Sequence, residues 1–429
     1  LSRPPEPVTP MTAETPTRRA DGFCCDEYSA MHASVSRRGL LGGALALAGA
    51  TTVVGGAVVT ASPARAESAS AVLVVLSLRG AADGLSLVVP HADPVYYAAR
   101  PRIAVPSDRL LLKDGFFGLH PAMTALVPLW QAGKVAAVHA TGLPVANRSH
   151  FAAMEEMEDA DPGSRERVGW LNRLVGGTPG GSPLQGFSAG SSTIPTSLVG
   201  PTPTMSAGRV GDVQLPGSDR EGRRRASLQV MWNSEKSTLG RSMRSTFAAI
   251  DAFGPARAAA DNSHSYPGTG VGQGLATAAQ IIRGDVGVEV ITVDQGNWDM
   301  HTDMGGPDGG WMAGNARDLA EALAAFLADL GTQESKVTLV TMSEFGRRVV
   351  ENDSNGTDHG YGNVMFVAGS GVRGGYHGRW PGLANSYEAD LTVTTDYRQV
   401  LADIVSRRFG ASVATVFPGL HWQSTGVMV

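Results

Sequence analysis

The sequence predicts an α/β protein, and two observations carry that expectation. Short continuous apolar runs mark strands buried on both faces, and amphipathic helical segments fall between them. Regular alternation of the two is what a sheet with helices packed on its faces requires. Of 429 residues, 42% are hydrophobic and only 17% charged, which suits a compact domain and argues against a disordered chain. A net charge of −5 gives no basic surplus for a nucleic-acid partner. The 54 glycines point to many tight or left-handed turns.

Residues 1–30 show no apolar periodicity and read as unstructured, or as a mis-assigned start ahead of Met31. Residues 31–66 read as a twin-arginine signal peptide. Ser36-Arg37-Arg38-Gly39-Leu40-Leu41 supplies the arginine pair, a Gly- and Ala-rich apolar stretch runs to about Thr60, and Ala64-Arg65-Ala66 is a small-residue cleavage site. The expected destination is periplasmic, cell-surface or extracellular, with no stable membrane span after cleavage and a folded domain over 67–429. The only cysteines, Cys24 and Cys25, precede the signal, so this domain has neither a disulfide nor a thiolate metal site.

Within the domain, Val72-Leu73-Val74-Val75-Leu76 predicts a buried strand. Residues 121–132 predict a helix begun by Pro121, leading into a strand at 135–138, and 149–160 predict another helix. Between about 176 and 225 the chain turns rich in Gly, Pro, Ser and Thr, which reads as an insertion or lid on the sheet. The run Arg220–Arg225 reads as a solvated turn, and 254–273, poor in apolar residues, as a loop. Further elements are a helix at 275–283, a strand at 288–293 and a helix at 314–330 with Leu319, Leu323, Phe326 and Leu330 on one face. Strands at 336–341 and 364–368 and a helix at 396–408 close the domain.

Ligands of open α/β sheets collect beyond the carboxyl ends of the strands. That rule singles out five polar loops: Arg79 to Gly84; His139 and Asn147-Arg148-Ser149-His150; Asp294 to His301; Ser343 to Arg347; and Thr357-Asp358-His359-Gly360. Asp83 between small residues is either a turn former or a ligand, and Ser149 either a helix N-cap or a nucleophile. Asp299 and His301 can share one ion if their segment is extended, and Asp358-His359 is the most metal-like dipeptide. Glu344 and Arg347 read as an ion pair bracing the rim, and His120 as a cap for the helix that follows. Carboxylates and imidazoles without thiolates suit a divalent metal: zinc, manganese, magnesium, calcium or iron. Beside a serine they suit metal-assisted phosphoryl or sulfuryl transfer, with Arg148 as a donor to an oxyanion.

Leu-Arg-Gly-Ala-Ala-Asp-Gly-Leu-Ser at 78–86, Gly-Leu-His-Pro-Ala at 118–122, Arg-Ser-His-Phe at 148–151, Trp-Asp-Met-His at 298–301, Ser-Glu-Phe-Gly-Arg at 343–347 and Thr-Asp-His-Gly at 357–360 resemble the twin-arginine-exported domain-of-unknown-function family 1501. That family is distantly similar to the alkaline phosphatase and sulfatase superfamily. The resemblance implies an alkaline-phosphatase-like three-layer sandwich with a mainly parallel central sheet and a small Gly/Pro-rich insertion. It also implies Ser149 as nucleophile, Asp83 as the carboxylate after the first strand, Asp299 with His301 as one metal pair, and Asp358-His359 as the Asp-His dipeptide. The superfamily's final histidine has no clear counterpart; His377 and His421 are the late ones available. The expected activity is an exported metal-dependent hydrolase of phosphate or sulfate esters, acting on a small-molecule or glycan substrate. The alternative is a non-catalytic exported protein of the same fold that binds cell-wall glycan or a protein partner. An acyl hydrolase is disfavoured because no Gly-x-Ser-x-Gly elbow surrounds Ser149.

Overall fold

In the computed structural model of the chain, residues 51–54, 57–60, 68–164, 166–177, 182–215 and 222–429 are described. The arginine pair at 37–38, the cleavage site at 64–66, residues 1–30, and Arg220 and Glu221 of the arginine run lie outside them. Thirteen strands occur among the described residues: β1 (Thr51–Val54), β2 (Ala57–Thr60), β3 (Val72–Leu78), β4 (Val88–Val89), β5 (Gly118–Leu119), β6 (Val135–Gly142), β7 (Gly186–Ala189), β8 (Met205–Ala207), β9 (Val290–Gln295), β10 (Val337–Met342), β11 (Asn363–Gly369), β12 (Gly375–His377) and β13 (Thr395–Asp396). Eleven form one mixed, mostly parallel sheet in the order β1-β2-β8-β7-β9-β3-β10-β11-β6-β12, with β13 also paired to β6. From β8 through β10 every neighbour is parallel; β11 is antiparallel to both β10 and β6. β4 and β5 form a separate two-stranded ribbon.

Alternate side chains of β3 enter different cores, as the period of a strand demands. Val72, Val74, Leu76 and Leu78 join the cluster that contains Leu275 and Ile281 of the helix Gly270–Arg283 and Leu319, Leu323 and Phe326 of the helix Trp311–Asp329. Leu73 and Val75 join the opposite cluster, with Met157 of the helix His150–Asp159 and Val400, Leu401 and Ile404 of the helix Tyr397–Phe409. The architecture is therefore α/β with helices on both faces of the sheet. Truncating one of these fully buried leucines to alanine costs about 2–5 kcal/mol through lost burial and the cavity left behind.

The expected strands and helices fall where the apolar pattern puts them, with shifted ends. The helix expected at 314–330 begins at Trp311, and the one at 275–283 begins at Gly270, so the stretch expected as a loop at 254–273 instead carries a short helix, Gly254–Ala258, a 3-10 turn, Ser263–Ser265, and the start of that helix. Residues 121–132 split into a 3-10 turn, Pro121–Leu126, and a short helix, Val127–Gln131. The stretch expected to be a lid contributes β7 and β8 to the central sheet itself. Its short Gly- and Ser-rich strands, Gly186–Ala189 and Met205–Ala207, carry too little apolar periodicity to announce themselves. The arginines at 223–225 begin a helix, Arg223–Asn233, rather than a turn. Among the described residues no helix is long and apolar enough to cross a membrane.

Candidate metal centre

The carboxyl ends of β3, β6, β9 and β10 share one rim, and the antiparallel β11 starts there, so the loop 357–361 arrives beside them. Backbone closeness at this rim depends on glycine. Gly80 has φ +109°, and a Cβ there would lie 2.7 Å from the Asp299 amide nitrogen. A Cβ on Gly360 would lie 2.3 Å from the Arg347 carbonyl carbon. The loops that carry the polar residues can therefore pack main chain against main chain.

Arg347, 1% exposed, is the knot of the rim. Its Nε donates to Ala81 O (2.7 Å), Nη1 to Thr357 O (3.0 Å), and Nη2 to Gly80 O (2.5 Å), Trp298 O (3.3 Å) and Asp299 Oδ1 (2.7 Å). The expected pairing of Glu344 with Arg347 is thus replaced by two separate attachments. Glu344 Oε1 accepts from the Gly80 amide (2.9 Å) and meets His150 Nδ1 at 2.8 Å. Arg347 holds Asp299 instead.

Three imidazoles and one carboxylate converge inside this frame. His359 Nε2 lies 3.1 Å from His150 Nε2 and 3.0 Å from His301 Nε2. Asp299 Oδ1 lies 3.1 Å from His301 Nε2, 3.6 Å from His359 Nε2 and 3.7 Å from His150 Nε2. These separations bracket about 3.3 Å, the edge of a tetrahedron with ~2.0 Å metal–ligand bonds. Each ring's other nitrogen meets a group that can only accept. His150 Nδ1 faces Glu344, His301 Nδ1 faces Asp358 Oδ1 at 3.1 Å, and His359 Nδ1 faces the Arg148 carbonyl at 3.0 Å. In the neutral rings the proton therefore sits on Nδ1, and three Nε2 lone pairs point at one another. Asp299 Oδ2, buried, has no hydrogen-bond partner. A carboxylate oxygen, Asp299 Oδ1, set among three imidazole Nε2 atoms is what a cation would satisfy, and anchored imidazoles are how proteins orient metal-binding histidines. Among the described residues, His150, Asp299 and His359 form a group able to hold a metal ion, and His301 Nε2 stands beside it.

Protonation is the only other way to relieve the cluster, and the electrostatics are uneven. Burial opposes the charged form of His150, but its contacts with Asp299 and Glu344 outweigh that and push it up to about 9. Burial and the neighbouring positive groups Arg347, His150 and His301 instead hold His359 below the ordinary histidine value, against the pull of Asp299. Burial opposes the charge of Asp299, yet three imidazoles and Arg347 keep its carboxyl far below the usual range. Access is one-sided: the side chains of His150 and Asp299 are sealed, whereas those of His301, His359 and Asp358 are 24%, 21% and 39% exposed.

Of the residues singled out from sequence, Asp299, His301 and His359 meet in the cluster. Asp358 sits behind His301 and also accepts from Asn352 Nδ2 at 2.9 Å. Asp83 is elsewhere: Arg100 grips both its oxygens, at 2.5 and 3.0 Å, and Ser86 donates to it at 2.6 Å, all buried. Ser149, half-buried, is the N-cap residue of the helix His150–Asp159, though its side chain makes no capping bond. The exposed side chain of Arg148 pairs with Asp390. His120 caps as expected, its Nδ1 accepting from the Ala122 amide at 3.1 Å. His150 was not foreseen as a ligand, and neither His377 nor His421 joins the group; His377 instead bonds the Arg373 carbonyl. The available signal for His150 was its position one residue after Ser149 in an already selected loop. No curated protein matches the chain. Residues 70–406, most of the chain, match the model of the DUF1501 proteins of unknown function, and the chain belongs to that family.

Proposed function

We propose that this chain is a metal-dependent hydrolase of phosphate or sulfate esters, centred on His150, Asp299, His301 and His359. The observation that carries the proposal is the convergence of three imidazole Nε2 atoms on Oδ1 of the buried Asp299. Imidazole and carboxylate donors suit zinc, iron or manganese. A divalent ion held there supplies Lewis-acid polarisation of an ester oxygen and offsets charge developing on it. Glu344, Asp358 and the Arg148 carbonyl hold the three rings in the binding tautomer. Arg347, buried, fixes Asp299 through a bond to Oδ1. Ser149 stands next to His150 where the helix His150–Asp159 begins, a place that favours a nucleophile attacking an anionic centre. Phosphate and sulfate esters as the substrate class rest on the order of Ser149, Asp299, His301 and His359 along the chain. Export by the twin-arginine route rests on Arg37-Arg38 and Ala64-Arg65-Ala66.

The sealing of His150 and Asp299 favours a second reading, in which the ion only ties the rim together for a binding protein. Elemental mass spectrometry of protein purified without chelator, combined with turnover of aryl phosphates and sulfates, separates the two. The hydrolase reading expects near-stoichiometric metal, turnover, and loss of turnover but not of metal in Ser149→Ala. Metal with no turnover on a broad ester panel supports the second reading. Protein that folds stably and takes up no zinc, manganese or iron sinks both.

A further inference from the structure

We propose that the helical hairpin over residues 222–252 is a docking element that seats the protein on an anionic lipid bilayer. The inference is independent of the metal centre and concerns a face of the molecule that the hydrolase reading does not use. The second helix of the hairpin, Thr238–Ala252, packs inward, with Phe247, Ala249 and Ile250 buried. The first, Arg223–Asn233, lies against it and buries none of its eleven residues. Arg225, Leu228, Gln229 and Trp232 are half-buried, at the spacing of a single helical face. Arg223, Arg224, Ala226, Ser227, Val230 and Met231 are exposed on the other side. The core therefore gains nothing from this outer face.

Two properties of that face point to lipid. The first is apolar exposure: of the nine exposed large apolar side chains among the described residues, Val230 (76%), Met231 (63%) and Leu239 (51%) fall within ten positions of one another. The second is charge. Residues 222–252 carry six basic residues, Arg223, Arg224, Arg225, Lys236, Arg241 and Arg244, against Glu235 and Asp251, in a chain whose net charge is −5. The hairpin is also preformed. Arg225 pairs with Asp251, and Arg244 Nη1 donates to the carbonyls of Trp232 and Glu235, both at 2.7 Å, which ties the two helices together. Bonds to carbonyl oxygens leave a guanidinium its charge. With the outer face down, Arg223 and Arg224 meet lipid phosphates, and Val230 and Met231, about two turns further on, enter the boundary between headgroups and acyl chains. A nucleic acid would use the charges and gain little from the aliphatic side chains beside them; an anionic bilayer uses both. The contact is peripheral, since among the described residues no helix is long and apolar enough to span.

The experiment sediments full-length protein with vesicles of phosphatidylcholine, with and without phosphatidylglycerol, over a range of salt. Wild-type protein is expected to bind the anionic vesicles, to ignore the neutral ones, and to release as salt rises. The double variant Val230→Ser, Met231→Ser should bind about tenfold more weakly. Arg223→Gln and Arg224→Gln should each cost about fivefold at low salt. All four positions are exposed, so the urea midpoint should not move. Every protein compared carries the same N-terminal segment, so the differences among them read the hairpin. No binding to anionic vesicles, equal binding to neutral ones, or variants that bind like wild type would each overturn the proposal. A wild-type dimer that the Val230→Ser, Met231→Ser change dissociates, with no vesicle binding, would assign the face to a second copy instead. Heparin binding that ignores the same change, again with no vesicle binding, would assign it to a polyanion.

Discussion

Two buried acidic groups at the same rim have opposite states of completion. Asp83 is satisfied from every side by Arg100 and Ser86, with the guanidinium of Arg100 in turn bonding the carbonyls of Val349 and Arg348. Asp299 keeps Oδ2 unbonded, and its Oδ1 faces three imidazole Nε2 atoms. Burying a charge is expensive unless it is paired, so both must be compensated. Asp83 is compensated by the protein alone, which makes it architecture. Asp299 is compensated only in part, and the remainder is what a ligand would supply. The difference shows that an acidic residue at the mouth of a sheet is not itself a sign of chemistry; an unfinished bonding pattern is.

Mutating each side of this contrast should separate it, and the largest effect belongs to Asp299. Asp299→Asn, which keeps the shape, should lose metal to below detection by elemental mass spectrometry and lose ester turnover together. If bound metal persisted at full occupancy, Asp299 would not be a ligand and the contrast would collapse. Asp83→Ala should do the reverse: breaking a buried ion pair costs about 3–5 kcal/mol, read from urea unfolding, while metal content per folded chain stays unchanged. Metal loss without destabilisation in that variant would move Asp83 to the functional side. Glu344→Gln should sharpen the comparison, because it touches the centre only through His150. Loss of a hydrogen-bond partner behind a metal-binding histidine typically costs 10–100-fold in affinity, and a calorimetric titration should find a drop of that size.

The smallest effect concerns a third buried group outside the rim. His139 stacks on Phe117 with centroids 3.8 Å apart, its Nε2 has no partner, and burial pushes its pKa down to about 3. The unfolded chain, with a histidine pKa near ~6.5, then takes up the proton more readily than the folded one. Stability from the neutral ring is complete above the unfolded value and is lost as pH falls from there towards about 3. Between pH 7 and 5 the loss is on the order of 2 kcal/mol, and His139→Phe should show a correspondingly flatter decline in urea midpoint. Equal slopes in the two proteins would place the acid sensitivity elsewhere.

Much of the fold could be read from the chain because strands such as Val72–Leu78 and helices such as Trp311–Asp329 announce themselves by period. β7 and β8 could not, because four- and three-residue strands of small side chains borrow their stability from neighbours in the sheet. The rim loops followed from the strand ends alone. Asp299, His301 and His359 were legible as residue types suited to a metal in those loops. His150 was not, because spacing selects a loop but not which of its side chains turns inward. Its ring is turned by Glu344, 194 positions later, and completes the cluster with His359, 209 positions later. The pairing of Glu344 with Arg347 suggested by their nearness in sequence failed for the same reason. Both side chains found stronger partners across the rim, in His150 and Asp299.

Arg347 fastens the segments at 80–81, 298–299 and 357 with a single side chain, and these adjoin or carry most of the cluster. One consequence concerns time rather than affinity. The segments bearing Asp299 and His359 cannot swing away without breaking bonds made by this one side chain, so that part of the rim opens together. The rate at which a strong chelator strips the ion then becomes a clock for that opening. Mutations on the far side of the sheet that leave every cluster residue untouched should still make the clock run faster if they loosen the rim.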